Sequence, residues 1–74
     1  DVLSPGYTDQ NYRDDHALAD RIEALIAQIA QETDRGQQEA YYEQAKALVE
    51  QIYGQTLKGA QRRRLEEVYG TYFN

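Results

Sequence analysis

Apolar residues recur along the first third of the chain with the spacing of an α-helix. The stripe consists of residues four, three and four positions apart and two neighbours that widen it: Leu18, Ile22, Leu25 and Ile29, with Ala19 and Ile26. A half-buried strand would alternate at every second position instead. The pattern therefore predicts a first helix over about residues 10–34. We expect its N-cap among Thr8, Asp9 and Asn11, and a left-handed turn at Gly36 after its end.

A second stripe with the same spacing follows a short polar stretch. It is formed by Tyr41, Ala45, Leu48 and Ile52, with Tyr42 and Val49 beside them. Asp34 and Gln37 have the spacing of a capping box, in which each side chain accepts the backbone N–H of the other residue. Gly54 is a candidate C-terminal stop, so we expect the second helix over about residues 35–53. So short a turn makes the first two helices antiparallel neighbours.

The last third of the chain carries a weaker helical pattern. Its inward positions would be Leu57, Ala60 or Gln61, Leu65, Val68 and Tyr72. Thr56 can cap this third helix, but Gly59 and Gly70 each cost about 1 kcal/mol relative to Ala in a helix interior. We expect the helix over about residues 57–70 or 57–73, with Gly70 as a candidate stop. We expect an extended lead-in over residues 1–8, which include Ser4-Pro5-Gly6.

Together the three stripes predict one all-α domain over residues 1–74, a small three-helix bundle without a sheet, in which helices 1 and 2 form an antiparallel hairpin. With 74 residues and no Cys, the core must be thin and has no disulfide to reinforce it. The longest apolar run, Ala24 to Ala27, is far shorter than the roughly 20 residues that cross a bilayer, so we expect a soluble protein. Because the chain begins at Asp1 and contains no Met, we expect a processed mature form or a piece of a longer protein.

The sequence contains no pattern that indicates a catalytic, cofactor-binding or metal-binding site. Ser4 is the only serine and His16 the only histidine, so no nucleophile and base can be paired into a relay. Adjacent carboxylates such as Glu66 and Glu67 point about 100° apart on a helix and cannot share one proton. The glycines are isolated, and no metal-binding loop pattern is present. We expect a protein that is not an enzyme, without cofactor or metal, in which His16 pairs with Asp20 one turn on.

Charge is distributed unevenly along the chain. The net charge is −5, but residues 1–54 carry four basic and eleven acidic residues, a sum of −7, whereas residues 55–74 carry four basic and two acidic residues, a sum of +2. The acidic majority opposes nonspecific binding to nucleic acid or anionic membranes over most of the surface. One compact basic patch remains near the C-terminus.

Aromatic residues concentrate in the same C-terminal segment. The chain has seven Tyr and one Phe, of which Tyr41, Tyr42 and Tyr53 fit the edge of a thin core, with the ring buried and the hydroxyl in water. Tyr is also enriched in protein interfaces. We therefore predict a non-catalytic protein-interaction module or accessory subunit that docks another protein through its third helix, or through a groove which that helix helps to form. The predicted contact residues are Lys58, Arg62, Arg63, Tyr69, Tyr72 and Phe73.

Two other interpretations use the same helix. A small nucleic-acid-binding regulator would place Lys58 and Arg62–Arg64 on phosphates, although only four basic residues could reach them. Self-association would complete the burial of the third helix against a second copy. Salt dependence separates the first of these from protein docking, because phosphate contacts weaken steeply with salt.

One family resemblance gives a remote alternative. Gly6 to Tyr12 with Asp15 resembles the start of the small lumenal assembly and repair factor of photosystem II, and Ala60 to Tyr72 is loosely similar to its aromatic-ended helix. The resemblance implies a helical bundle that serves photosystem assembly in the lumen. The family's Ser-Phe-Thr-Thr stretch is missing from this chain, and the three predicted helices leave no room for the family's fourth.

Overall fold

The computed structural model describes residues 6–74, which form three α-helices and contain no strand. The helices are α1, Asp9–Gln31, α2, Arg35–Glu50, and α3, Gln55–Tyr72. The contact between α1 and α2 is the most extensive, and α3 packs against both. The predicted three-helix bundle is confirmed. None of these three helices combines the length and the apolar composition that a membrane span needs.

The start of α1 is fixed by a reciprocal cap. The Thr8 hydroxyl accepts the backbone N–H of Asn11 at 3.0 Å, and the Asn11 side-chain oxygen accepts the N–H of Thr8 at 3.1 Å. These bonds satisfy two backbone donors that a helix end leaves without partners. Just before the cap, Gly6 takes a φ of 93°, a left-handed conformation that favours glycine. The first five residues of the expected lead-in lie outside the described part.

The turn between α1 and α2 contains half of the predicted capping box. The Asp34 carboxylate accepts the N–H of Gln37 at 2.9 Å, as expected. The N–H of Asp34, however, donates to the Glu32 carboxylate at 3.0 Å rather than to Gln37. The same Glu32 oxygen also accepts the N–H of Thr33. Glu32 therefore takes the role that the spacing assigned to Gln37.

The expected left-handed turn at Gly36 is wrong. Among the described residues only Gly6 has a positive φ, and Gly36 is the second residue of α2. The chain leaves α1 at Gln31, three residues before the predicted end, through an extended Glu32. The Gln38 amide then donates to the carbonyls of Ile29 and Glu32 at 2.9 Å each, so a side chain satisfies the helix end without a glycine.

Gly54 belongs to the third helix rather than the second. α2 ends at Glu50, three residues before the predicted end, and Gly54 is the N-cap of α3. As a result α3 begins at Gln55, and Thr56 lies inside its first turn. At the other end α3 continues through Gly70 to Tyr72, which matches the longer of the two predicted ends. Gly70 does not stop the helix.

The core is a single cluster that draws on all three helices. Its buried apolar members are Leu18, Ile22, Ile26, Ile29, Ala45, Leu48, Val49, Ile52, Leu65 and Val68. Leu25, predicted as a core residue, is only partly buried, because the centre of the α1 stripe passes through Ile26. Ala60 and Gln61 were alternatives for one inward position of α3. Gln61 is partly buried and Ala60 is exposed.

Candidate functional site

Three aromatic rings meet where the C-terminal half of α3 crosses α2. Tyr42 of α2 lies 5.8 Å from Tyr69 and 5.2 Å from Phe73, between ring centroids, and Tyr69 lies 5.9 Å from Phe73. All three pairs are tilted rather than parallel, an arrangement that the ring quadrupoles favour. We call these residues the aromatic patch. Tyr42 and Phe73 are half-buried, whereas Tyr69 exposes 50% of its surface.

Two cations of α2 lie on the aromatic patch. The Arg35 guanidinium is 5.1 Å from the centroid of Phe73 and also donates to the Phe73 carbonyl at 3.2 Å. The Lys46 ammonium is 5.5 Å from the centroid of Tyr42. Cation–π contacts at exposed sites contribute roughly 0.5–1 kcal/mol each. Arg35 therefore ties the end of α3 to α2, whereas Lys46 packs on a ring of its own helix.

Each of these cations also pairs with a carboxylate on its own helix. Arg35 lies 3.7 Å from Glu39, and Lys46 lies 3.0 Å from Glu43. The contact with Glu43 raises the pKa of Lys46 above its ordinary value. The rim of the aromatic patch thus carries two positive and two negative charges in adjacent pairs.

The aromatic patch and its rim enclose an open cavity of about 220 Å³. A second groove of about 370 Å³ continues from it between α2 and α3, over Val49 and Leu65. Tyr42 and Lys46 line both. We call this continuous region the α2–α3 surface. It is lined by Arg35, Glu39, Tyr42, Glu43, Lys46, Val49, Glu50, Arg62, Leu65, Glu66, Tyr69 and Phe73.

The six residues predicted from the sequence as contacts do not form one cluster. Tyr69 and Phe73 come together with Tyr42, but Tyr72 has no ring contact with them and lines neither cavity of the α2–α3 surface. Arg62 lies two helical turns before Tyr69, at the far end of the α2–α3 surface. Lys58 and Arg63 line neither of its two cavities.

Two of the C-terminal arginines are held by carboxylates of other helices. Arg62 donates to both oxygens of Glu50, at 2.8 and 3.1 Å. This contact lowers the pKa of Glu50 and raises that of Arg62. Arg64 lies 3.4 Å from Glu23 of α1. The predicted basic patch is thus half neutralised by ion pairs that join α3 to α1 and α2.

Arg35 and Lys46 were not among the residues predicted from the sequence, and Tyr42 was expected only to pack at the edge of the core. A local signal was present, because positions 35, 39, 42 and 46 are four, three and four apart and share one face of α2. The meeting of this face with Tyr69 and Phe73 depends on the register of α3 against α2, which no local spacing encodes.

The carboxylate of Asp15 is a second site that the sequence reasoning missed. Its side chain exposes only 1% of its surface. One oxygen accepts the backbone N–H of Tyr53 at 2.9 Å, and the other accepts the N–H of Gly54 at 2.9 Å and the hydroxyl of Tyr7 at 2.6 Å. Asp15 thus holds the two residues that precede α3 against α1, and Gly54, the N-cap of α3, makes no side-chain capping bond of its own. We call this group of contacts the Asp15 clasp.

The pKa values in the Asp15 clasp follow from its hydrogen bonds. Burial raises the pKa of the Asp15 carboxyl, but the hydrogen bonds from Tyr7, Tyr53 and Gly54, with the nearby His16, outweigh it and hold the pKa below its ordinary value. The hydrogen bond to Asp15 raises the pKa of Tyr7 to about 12. A carboxylate that is ionised, buried and bonded on both oxygens has a structural role rather than that of a general base.

His16 has a different neighbour from the one expected. Its ring packs edge-on against Tyr12 at 4.5 Å between centroids, and the ion pairs among residues 6–74 do not include His16 with Asp20. Within the same range, no three His, Cys, Asp or Glu side chains are grouped so that they could hold a metal ion.

Comparison of the chain with protein-family models, with curated proteins and with solved structures found no significant match.

Proposed function

We propose that this protein is a non-catalytic interaction module that docks another protein on the α2–α3 surface, with Tyr69 at the centre of the contact. The observation that carries the proposal is the half-exposed Tyr69 ring, held against Tyr42 and Phe73. Interface hot spots are enriched in Tyr, and a ring fixed by its neighbours loses little entropy on binding.

The surroundings of Tyr69 have the composition of an interface centre and rim. The aromatic patch supplies the apolar centre, and the Arg35–Glu39 and Lys46–Glu43 pairs supply a charged rim with no net charge. In known interfaces a rim of this kind excludes water from the central contacts without contributing much affinity itself. The partner that fits best presents an apolar side chain to Tyr69 and polar groups to the rim.

The nucleic-acid alternative loses two of its four cations to ion pairs. Arg62 and Arg64 face carboxylates at 2.8 and 3.4 Å, and the rest of the chain is acidic. Binding phosphates with these arginines would require breaking contacts that join the helices. Lys58 and Arg63 form no ion pair within residues 6–74, and two cations give little affinity for a nucleic acid.

The test compares two tyrosines of nearly equal exposure, 50% for Tyr69 and 53% for Tyr12. Tyr69→Ser removes the ring at the centre of the α2–α3 surface, whereas Tyr12→Ser removes a ring that is 53% exposed on α1. The two variants and the unaltered protein are each immobilised and incubated with the native cell extract. The proteins that each of them captures are then quantified by mass spectrometry. We expect one protein to be retained by the unaltered chain and by Tyr12→Ser but lost with Tyr69→Ser.

The same partner, once purified, gives a second measurement. Lys46→Glu places a third acid on the rim, beside Glu43, and we expect it to weaken binding of this partner as well. The affinity of the unaltered chain should change only mildly with salt, unlike binding through phosphate contacts. Identical recovery of every protein by Tyr69→Ser and Tyr12→Ser would overturn the proposal.

A further inference from the structure

A separate groove lies between the N-terminal half of α1 and the segment that connects α2 to α3. Its volume is about 460 Å³. The residues that line it are Asp14, Ala17, Leu18, Arg21, Gln51 and Tyr53. Tyr53 exposes 55% of its surface here, the highest value among the large hydrophobic residues of the described part. None of these residues belongs to the α2–α3 surface.

The groove carries one cation and one carboxylate on the same face of α1. Arg21 and Asp14 are seven positions apart, which is two helical turns. Arg21 makes no ion pair within residues 6–74, and the Asp14 carboxylate accepts only the neutral amide of Gln10, at 2.9 Å. Neither charge is therefore paired with an opposite charge within residues 6–74. Ala17 and Leu18 lie midway between them.

This arrangement is complementary to its own two-fold copy. If two α1 helices lie antiparallel about an axis between Ala17 and Leu18, each residue n faces residue 35 − n of the other chain. Asp14 of each copy then faces Arg21 of the other, so both ion pairs form at once. The small Ala17 lies beside the axis, where it lets the two helices approach closely. Tyr53 lines the same groove as Ala17.

We propose that this groove is a two-fold contact at which a second copy of the chain binds through α1. The facing segment runs from Asp9 to Ile26, since 35 − 9 = 26, and these 18 residues span about 27 Å. A contact one helix wide and of this length falls among small interfaces, below roughly 1,200 Å² in total, which are typical of weak and transient complexes. The dimer should therefore form at high protein concentration and leave the α2–α3 surface free.

Sedimentation equilibrium of the purified chain over micromolar to millimolar concentrations tests the proposal. We expect a reversible monomer–dimer equilibrium. Arg21→Asp and Asp14→Arg should each weaken the dimer by about tenfold or more, because each brings two pairs of like charges together. The double variant Asp14→Arg with Arg21→Asp should restore it, and an equimolar mixture of the two single variants should form a mixed dimer.

The matched control is Arg63→Asp, which makes the same charge change at an exposed position on α3. It should leave the dimer unchanged, and far-ultraviolet circular dichroism should show the same helix content in every variant. A chain that stays monomeric throughout the concentration range would overturn the proposal. So would a dimer that survives Arg21→Asp but is lost with Tyr69→Asp, because that dimer would lie on the α2–α3 surface.

Discussion

The carboxylate of Asp15 accepts the backbone N–H of Gly54 at 2.9 Å, although 39 positions separate the two residues in the sequence. The contact joins the beginning of α1 to the beginning of α3, and through Tyr53 and Tyr7 it also holds the α2–α3 turn and the segment before α1. In a thin core of three short helices, this polar contact fixes where α3 starts. The register of α3 in turn sets the position of Tyr69 opposite Tyr42.

Replacement of Asp15 should destabilise the fold more than replacement of any exposed acid. Asp15→Asn keeps the shape but offers one acceptor oxygen in place of two, and its NH₂ group then faces a donor. We expect a loss of roughly 2–4 kcal/mol in the free energy of unfolding, measured by urea denaturation. Asp14→Asn, at the neighbouring position, is the control and should change it by less than about 0.5 kcal/mol. Equal losses for the two variants would contradict the structural role of Asp15.

Acid should weaken the same contact. Because folding lowers the pKa of Asp15, its stabilising contribution is complete above the ordinary value of 3.8 and is lost as the pH falls through the folded value below it. Urea denaturation at a series of pH values from neutral to strongly acidic should show this as a decrease in stability. In Asp15→Asn the free energy of unfolding should decrease less as the pH falls. The decrease that remains should come from other carboxylates such as Glu50. Parallel curves for the two proteins would rule out this assignment.

At alkaline pH the stability of the fold should depend on Tyr7, and it should decrease as the pH rises. Its folded pKa is raised from 10.0 to about 12, so its contribution is complete below pH 10.0 and declines as the pH rises towards 12. Tyr7→Phe lacks the titrating hydroxyl and should lose less stability over this interval. Absorbance titration of the phenolates should show one fewer late-ionising tyrosine in Tyr7→Phe than in the unaltered protein.

The spacing of apolar residues was enough to predict the three helices, but not which of two adjacent apolar residues faces the core. Leu25 and Ile26 both fit the stripe, and the choice of Ile26 depends on the angle at which α2 and α3 pack against α1. The sequence does contain an indication of the Asp15 clasp. Asp15 lies three positions before Leu18 and seven before Ile22, and so falls on the apolar stripe of α1. A charge on a core-facing stripe indicates a buried partner.

The candidate site was predicted less completely than the helices. Tyr69 and Phe73 were found because local composition is enough to identify an aromatic cluster. Tyr42 and Arg35 were missed because they meet Phe73 only through the packing of α3 on α2, and Lys46 joins the group through Tyr42. Helix ends were also displaced wherever a side chain from elsewhere satisfied the backbone, as Asp15 does at Gly54.

Gln61 is a site where substitution should stabilise the protein. Its side-chain oxygen is buried and has no hydrogen-bond partner among the described residues. An unsatisfied buried polar atom costs roughly 1–3 kcal/mol, so Gln61→Leu should raise the free energy of unfolding by about 1 kcal/mol. Gln44→Leu, at an exposed position of α2, is the control and should give no such gain. A loss of stability in Gln61→Leu would show that the Gln61 oxygen has a partner in solution.

Gly70 and Gly36 test whether helix propensity or local contacts decide the effect of an added methyl group. Both glycines lie in helices without a positive φ, so Ala relieves a backbone entropy cost of about 0.5–1 kcal/mol at each. At Gly70 the new Cβ meets nothing within 4 Å, and Gly70→Ala should gain that full amount. At Gly36 the Cβ would lie 3.3 Å from the Asp34 oxygen that caps α2, so displacement of the cap should cancel the gain. Thermal unfolding of the two variants measures the difference, and equal increases would show that Asp34 can move without loss of its cap.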